Sequence, residues 1–398
     1  MKKNLLIITS LFPNKNNPIY GSFVYDQVIL LKEKYNLKVF VEHKTNIGKR
    51  SFFKFLFFDI NKLFNKKTYY KYSDSLDVYH IEYKSFSFLP PKIQYYYLVR
   101  FYRKTLLDVS KEHVWFPNII HAHYLYNSGI IASGLNQKMD IPFVITEHNP
   151  INFYGENFWF NKAREAYLNS NKYCVVSHHE YRRMLTFDYG KNIDIVYNVV
   201  NEDDYTIKVK KSTGFIVLFV GYPHPLKGMK TLFNIIALFE RHKVDGIFFN
   251  IISSDEKTSE FPDGISAFIK KEKIEKYCRL IPRQQKSQMM GYYNSSDVLL
   301  STSINETFGL SQLEALLCGV PIVSTKSGGP DDFLTVENSL IYNIGDTEGL
   351  FYGIMQLKNG KIRFDPENVR NSVLGKFDET VFLEKIVSLY QDIFNSTI

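Results

Sequence analysis

Ser303-Ile304-Asn305-Glu306-Thr307-Phe308-Gly309-Leu310-Ser311-Gln312-Leu313-Glu314-Ala315 is the stretch on which the reading of this chain turns. Just upstream, Asp297-Val298-Leu299-Leu300-Ser301-Thr302 has the apolar run of a short buried strand. Gly309 permits a tight turn, Ser311 is placed to cap a helix, and Glu314 three residues on completes a capping box. The helix then runs through Ala315, Leu316 and Leu317 to a stop at Cys318-Gly319. The first N–H groups of a helix have no intrahelical acceptor, which suits a phosphate. Glu306 and Glu314 flank that point, where carboxylates can accept hydrogen bonds from sugar hydroxyls. Taken alone, the pair also reads as a capping box beside a surface acid.

The neighbouring segments weigh against that plainer reading. Residues 215–220 form another apolar run, followed by Gly221-Tyr222-Pro223-His224-Pro225-Leu226-Lys227-Gly228 and an apolar helix over 229–239. A loop again joins the C-terminal end of a strand to a helix, the usual ligand crevice of open parallel sheets. Lys227 can hold a diphosphate there as a point charge. Pro321-Ile322-Val323-Ser324-Thr325 and Ser327-Gly328-Gly329-Pro330 make a third strand that ends in a glycine-rich loop.

Working outward, the first half predicts strands at 5–9, 38–42, 78–83, 119–122, 143–146, 173–176 and 194–197. It predicts helices at 25–34, 93–107, 127–137 and 180–187. The second half predicts strands at 215–220, 247–252, 278–281, 298–301, 322–324 and 340–342, and a last helix at about 379–394. This alternation implies an α/β protein of βαβ units on parallel sheets. The polar residues 201–213 read as a linker.

The chain has 398 residues, enough for two domains with full cores, and 23% charged residues, as in a soluble globular protein. Cys174, Cys278 and Cys318 are scattered in apolar segments without metal-ligand spacing, and read as reduced core residues of a cytoplasmic protein. No run of 18 apolar residues suits a membrane span. Lys2-Lys3 before Leu5-Leu6-Ile7-Ile8 imitates a signal peptide, but a first buried strand accounts for it better. Residues 1–200 hold 27 Lys+Arg against 16 Asp+Glu, while the remainder holds 22 against 25. A basic half can face nucleic acid, anionic lipid or a phosphate-bearing substrate. No G-x-G-x-x-G follows the first strand, which disfavours a dinucleotide oxidoreductase.

At these residues the chain resembles the retaining nucleotide-sugar glycosyltransferases of the GT-B fold, glycosyltransferase family 4 of the group 1 type. The resemblance rests on Gly221 with Lys227-Gly228, Glu306 and Glu314 with Phe308-Gly309, Gly319-Val320-Pro321-Ile322-Val323, and Ser327-Gly328-Gly329-Pro330. Weaker echoes are Pro18-Ile19-Tyr20-Gly21-Ser22-Phe23-Val24, Ile120-His121-Ala122-His123, Val144-Ile145-Thr146-Glu147-His148, Val175-Val176-Ser177 and Val196-Tyr197-Asn198-Val199-Val200. It implies two Rossmann-like domains facing across a cleft. Residues 1–200 would form the acceptor-side domain, residues 201–375 the donor domain, and residues 376–398 a helix returning to the first domain. The family usually has a basic residue directly after the first-loop glycine; here it is Tyr222, which supplies no charge.

The resemblance also implies roles. Glu314 would bond the nucleotide ribose and Glu306 the hydroxyls of the donor sugar. The N–H groups of Phe308, Gly309 and Leu310, next to Thr307, would cradle the β-phosphate. His148 would lie near the reacting sugar, with a packed structural histidine as the alternative; His121 and His123 read as packing. Gly21 suits close backbone approach to the donor or a simple turn, and Arg283 flanks the base and phosphates or lies on the surface. No cofactor beyond a UDP- or GDP-sugar co-substrate is expected, and no metal, because Asp331-Asp332 reads as a helix start.

The expected function is transfer of a sugar, with retention, to a glycan or polyprenyl-linked glycan in cell-surface polysaccharide synthesis, with nucleic acid excluded as a partner. The alternatives are a nucleotide-sugar epimerase of the same fold and a non-catalytic protein binding nucleic acid or membrane. Two aromatic-basic clusters, Lys49-Arg50-Ser51-Phe52-Phe53-Lys54-Phe55-Leu56-Phe57-Phe58 running on to Tyr69-Tyr70, and Tyr95 to Lys104, suit either packing on the sheet or an anionic membrane surface.

Overall fold

Apolar runs of four to six residues become parallel strands here, because strands covered on both faces need no polar alternation. The structure, a computed structural model, describes residues 2–14, 17, 19–48, 66–73, 76–151, 155–187, 192–209 and 214–396. In chain order the strands are β1 (Asn4–Thr9), β2 (Asn36–Ile47), β3 (Lys66–Ser73), β4 (Leu76–Phe86), β5 (Ile119–His123), β6 (Phe143–Glu147), β7 (Lys172–Val175) and β8 (Ile193–Ile195). They continue as β9 (Phe215–Val220), β10 (Ile247–Ile252), β11 (Cys278–Ile281), β12 (Val298–Ser301), β13 (Ile322–Thr325) and β14 (Ser339–Tyr342).

The first sheet has the order β3-β4-β2-β1-β5-β6-β7-β8 and the second β11-β10-β9-β12-β13-β14. Every pair is parallel except β3 with β4. In each sheet the winding reverses beside the first strand, between β1 and β5 and between β9 and β12. Such reversal points leave a crevice at the strands' C-terminal ends.

The chain forms two units. The first holds Met1–Val176, Tyr181–Tyr197 and Phe382–Ile398, and the second holds Ser177–Glu180 and Asn198–Val381. The last helix, Glu379–Ser396, contributes most of its length to the first unit and buries Phe382, Ile386, Leu389, Tyr390 and Ile393. Each unit has its own core, the first around Leu6, Phe40, Tyr102 and Phe143, the second around Phe219, Phe239, Phe249 and Leu300. The three cysteines are buried and free, and burial raises each thiol to about 12.

Several expectations need correction. β3, with its run of Lys and Tyr, pairs antiparallel on β4, where no strand was expected and where the sequence suited either packing on the sheet or a membrane surface. The helix expected at 127–137 starts only at Ile130, because Asn127 has φ 62 and ψ −82 inside a π-type turn, Leu125–Gly129. Helix Phe158–Asn169 was missed; its start is fixed by Asn157 Oδ1, which accepts from the N–H groups of Trp159 (3.0 Å) and Phe160 (3.1 Å). Asp331-Asp332 closes a single 3₁₀ turn, Gly329–Asp332, rather than opening a longer helix. The cluster from Lys49 to Phe58, and Pro18, lie outside the described residues.

Candidate functional site

The second unit gathers three loops at the C-terminal ends of β9, β12 and β13. They are locked to one another by backbone bonds. Ile304 N–H donates to Leu226 O (2.8 Å), Glu306 N–H to Ser327 O (2.9 Å), and Gly329 N–H to Glu306 O (2.8 Å). Thr302 Oγ1 donates to Gly228 O at 2.9 Å. Two glycines make this approach feasible. Gly228 has φ 64, and a Cβ there would sit 1.9 Å from Thr302 O. A Cβ on Gly329 would lie 2.3 Å from Thr307 O.

On this frame Lys227 Nζ lies 2.6 Å from Glu306 Oε1, which also accepts from Ser303 Oγ at 2.8 Å. The ammonium also lies 5.8 Å from the centroid of the Tyr222 ring, within cation–π range. Tyr222 thus occupies the expected position of a second cation and supports the first cation with its ring face. Lys227 and Glu306 are partly exposed, at 23% and 15% of their side chains, so a ligand can reach both.

Glu314 lies inside helix Leu310–Leu317, whose N-cap is Gly309 (φ 99) with no side-chain cap. This corrects the capping box: Ser311 is already helical, and Glu314 Oε2 instead accepts from Tyr293 Oη at 2.6 Å. The first turn therefore keeps its amides clear of any side-chain cap, which is the condition for anion binding. Tyr293 is wholly buried, and burial followed by the Glu314 charge holds its phenol well above the usual range. Sequence reasoning missed Tyr293, Ser303 and Thr302, whose roles depend on tertiary contact; Tyr293 sits four residues before Asp297 at the entry to β12, which was the available signal.

The other expected residues fall as follows. Thr307 is half-buried, and Phe308 is buried against Phe333 and Phe377, with ring centroids at 5.7 Å in both cases. Arg283 is exposed in the loop after β11. Gly21 has φ 70, and a Cβ there would lie 2.4 Å from the Leu11 carbonyl carbon, so the chain's own packing already requires glycine. His148 is 6% exposed, its Nε2 is 3.0 Å from His123 Nδ1, and its ring centroid lies 4.8 Å from that of Phe23. His121 stacks on His123 at 4.4 Å and bonds Tyr390 Oη at 2.5 Å and Thr146 Oγ1 at 2.8 Å. Burial lowers His121 to about 3; burial, then His121 and His148, keeps His123 well below the usual range.

The first unit has a crevice of its own at the ends of β1, β5 and β6, with a cavity of ≈ 350 Å³. Its wall includes the turn after β5, where two non-glycine residues have positive φ: Tyr124 (φ 79, ψ 135) and Asn127 (φ 62, ψ −82). Two buried carboxylates pin this turn. Glu147 Oε2 accepts from Leu125 N–H at 2.8 Å, and Ser128 Oγ donates to Glu42 Oε1. Burial raises the Glu42 carboxyl to about 7, against the lowering effects of Ser128 and Lys44. Another cavity, of ≈ 370 Å³, lies at the N-terminal ends of β9 and β10 beside Arg279, at the opposite end of that sheet from the loops above. Among the described residues no group of three His, Cys, Asp or Glu is placed to hold a metal.

Two family models match in succession: "Glycosyltransferase Family 4" over residues 68–204 and "Glycosyl transferases group 1" over residues 201–363. An uncharacterized glycosyltransferase of Methanocaldococcus jannaschii is 23% identical over 267 residues, covering 67% of this chain and 71% of that protein. Matches to D-inositol 3-phosphate glycosyltransferases span from a quarter to about half of those proteins' length. Among solved structures, sucrose-phosphate synthase from Thermosynechococcus elongatus superposes with a TM-score of 0.75 at 16% identity, covering 99% of this chain and 100% of that one. Anabaena HepE in complex with UDP gives 0.69 at 15% identity, covering 98% and 100%. The two matched models run consecutively along two parallel-sheet units of this shared architecture, residues 68–204 as family 4 and residues 201–363 as group 1, and the chain is a glycosyltransferase of the GT-B type.

Proposed function

We propose that the protein moves a sugar from a UDP- or GDP-sugar to a hydroxyl of a glycan or lipid-linked glycan, with retention, in cell-surface polysaccharide synthesis. The observation that carries this reading is the placement of Lys227, Glu306, Glu314 and an uncapped helix N-terminus on loops flanking the β9/β12 reversal. A cation and free amides suit a diphosphate, and two carboxylates on either side suit hydroxyls. The related fold of a protein crystallised with UDP supports a nucleotide donor.

In this reading Glu314, steadied by Tyr293, holds the ribose, and Glu306 holds the donor sugar. The bond from the anomeric carbon to the diphosphate oxygen breaks through an oxocarbenium-like state. Charge grows on the leaving diphosphate, where Lys227 and the helix N-terminus are already oriented to stabilise it. The acceptor hydroxyl bonds the anomeric carbon on the same face, and its proton passes to the leaving phosphate. Glu306 holds Lys227 by an ion pair before the donor arrives, so the phosphate competes for a cation already in position.

A thermal-shift panel of nucleoside diphosphates and their sugars tests the reading. A ligand at 100 times its Kd stabilises by roughly 2.7 kcal/mol. Lys227→Ala should abolish most transfer while the fold survives, and chelation with EDTA should leave transfer intact. A panel with no responding nucleotide would overturn the reading. Interconversion of a free nucleotide-sugar without an acceptor would mark an epimerase instead.

A peripheral membrane location is the second part of the proposal. On helix Pro91–His113, Tyr96 and Tyr97 are more than half exposed, and Arg100, Arg103 and Lys104 beside them are exposed too. An interfacial surface has this composition. Among the described residues no helix is long and apolar enough to cross a membrane.

A further inference from the structure

We propose that the second sheet carries a binding site for a small organic acid, a carboxylate on an apolar body, with Arg279 as its anchor. The site lies at the edge strand β11, at the end of the sheet away from the Lys227 and Glu306 loops. It does not depend on the glycosyl-transfer reading.

An asparagine inside a buried strand is the first sign. β10 reads Ile247-Phe248-Phe249-Asn250-Ile251-Ile252, apolar at every position but one. Asn250 is 4% exposed, and a buried amide costs stability unless it is hydrogen-bonded. The parallel register sets Asn250 beside Arg279 on β11, and Arg279 Nε donates to Asn250 Oδ1 at 3.1 Å. This bond fixes the guanidinium by one nitrogen. It leaves both Arg279 Nη groups and Asn250 Nδ2 without a partner among the described residues. All three are donors, so they call for an acceptor that the chain does not supply.

The surroundings give the ligand's chemistry. Arg279 and Asn250 line a cavity of ≈ 370 Å³, and Arg279 is the one charged residue of that lining. Ile216 and Phe248 are paired across β9 and β10, both half-buried, and lie on the sheet face that carries Asn250. Two residues along a strand span about 7 Å, so one small acid can set its carboxylate on the guanidinium and its carbon frame on Phe248. Gly214 and Gly246, at φ 94 and 69, complete the wall without side chains. Two lining amides are already engaged. Phe215 N–H donates to Gly246 O at 3.0 Å, and Ile216 N–H to Asp297 Oδ2 at 2.6 Å. They cannot wrap a phosphate, whereas the free edge of a planar guanidinium matches the two oxygens of a carboxylate. A single cation also balances a carboxylate but leaves a phosphate dianion half neutralised.

The test is saturation-transfer NMR titration of the full chain. The probes are benzoate, 4-hydroxybenzoate and hexanoate, set against benzyl alcohol, which lacks the charge, and phenyl phosphate, which changes the head group. At least one acid should bind, and more tightly than benzyl alcohol. Arg279→Gln should raise that acid's Kd roughly tenfold or more, the loss expected for hydrogen bonds to a charged group. Asn250→Asp should weaken the acid too, because a carboxylate at that position pairs the guanidinium from within. Arg279 is exposed, so its variant should keep the fold, which a melting curve checks. UDP should not displace the bound acid. No acid binding, an unchanged Kd in Arg279→Gln, displacement by UDP, or Arg279-dependent binding of phenyl phosphate as tight as that of benzoate would overturn the proposal. UDP binding itself, read on the same samples, bears only on the transferase assignment.

Discussion

Glu306 and Glu314 stand eight residues apart but face different partners, and their substitution should separate two functions. Glu314→Ala should weaken binding of the nucleoside diphosphate by roughly 1.5–3 kcal/mol, the range for a hydrogen bond to a charged group. Glu306→Ala should leave that affinity nearly intact and lower transfer. Calorimetry with UDP and GDP on both variants decides it, and equal losses of affinity would contradict the split. A second prediction concerns Glu42. Its folded pKa is raised from 4.5 to about 7, so the folded state binds the proton more tightly than the unfolded chain does. The stability tied to this proton is fully present below pH 4.5 and is lost as pH rises to about 7. Glu42→Gln should remove that dependence, gaining on wild type by on the order of 3 kcal/mol across the window. Melting temperatures of the two proteins running parallel from pH 4.5 to 7.5 would sink the claim. The buried His121 and His123 act in the opposite sense, since their lowered pKa values remove stability as pH falls below the ordinary histidine range. What the sequence made legible at this scale was local. Glu306 and Glu314 stood out by their spacing after one strand, and Lys227 by its place in the loop after another. Tyr293 bonding Glu314 across 21 residues and Ser128 bonding Glu42 across 86 left no periodic trace.

The loops that end strands β9, β12 and β13 act as one element, and Gly228 is where they close most tightly. Gly228→Ala would combine a positive φ with a Cβ driven into Thr302 O. The chain must shift there, so the variant should lose on the order of 1–3 kcal/mol of stability. Because Lys227 is the next residue, the nucleotide-induced thermal shift should shrink as well. A variant melting at the wild-type temperature, with an unaltered nucleotide shift, would show that the loops are not coupled. The parallel strands were legible because burial on both faces writes an unbroken apolar run. β3 was not, because it pairs with one neighbour, β4, and its Lys-Tyr composition follows no core pattern. The helix capped by Asn157 was missed because three aromatics in its first turn obscured the 3.6-residue repeat. The turn after β5 was read as helix for a related reason: its residues have helical composition, and only tertiary bonds hold Asn127 in a backbone conformation that interrupts it.

At the scale of the molecule, the excess of basic residues in the first 200 positions is the feature that no core or loop requires. The full chain should sediment with anionic vesicles of phosphatidylglycerol and phosphatidylcholine, and release as salt rises past the point where charges are screened within about 8 Å. Replacing Arg100, Arg103 and Lys104 by glutamate should weaken sedimentation, each change removing about 1 kcal/mol of attraction. Equal pelleting with pure phosphatidylcholine would leave the helix's exposed tyrosines as ordinary surface. The division into two units was partly legible from the repeated strand–loop–helix order, but the stretch expected as a linker joins the second unit in its described part, where Tyr205 is buried. That residues from both ends of the chain build one unit left no local mark, since Tyr390 meets His121 across 269 residues. This arrangement sets an order of events during synthesis. The first sheet emerges early, yet the phenol that satisfies His121 comes only after the whole second unit has been translated. At about 5–20 residues per second, that interval is roughly ten to forty seconds. Through it the nascent first unit must persist with His121 Nδ1 lacking its phenol partner and the surface later covered by Leu389 and Ile393 open to water, a period in which a chaperone has something to hold.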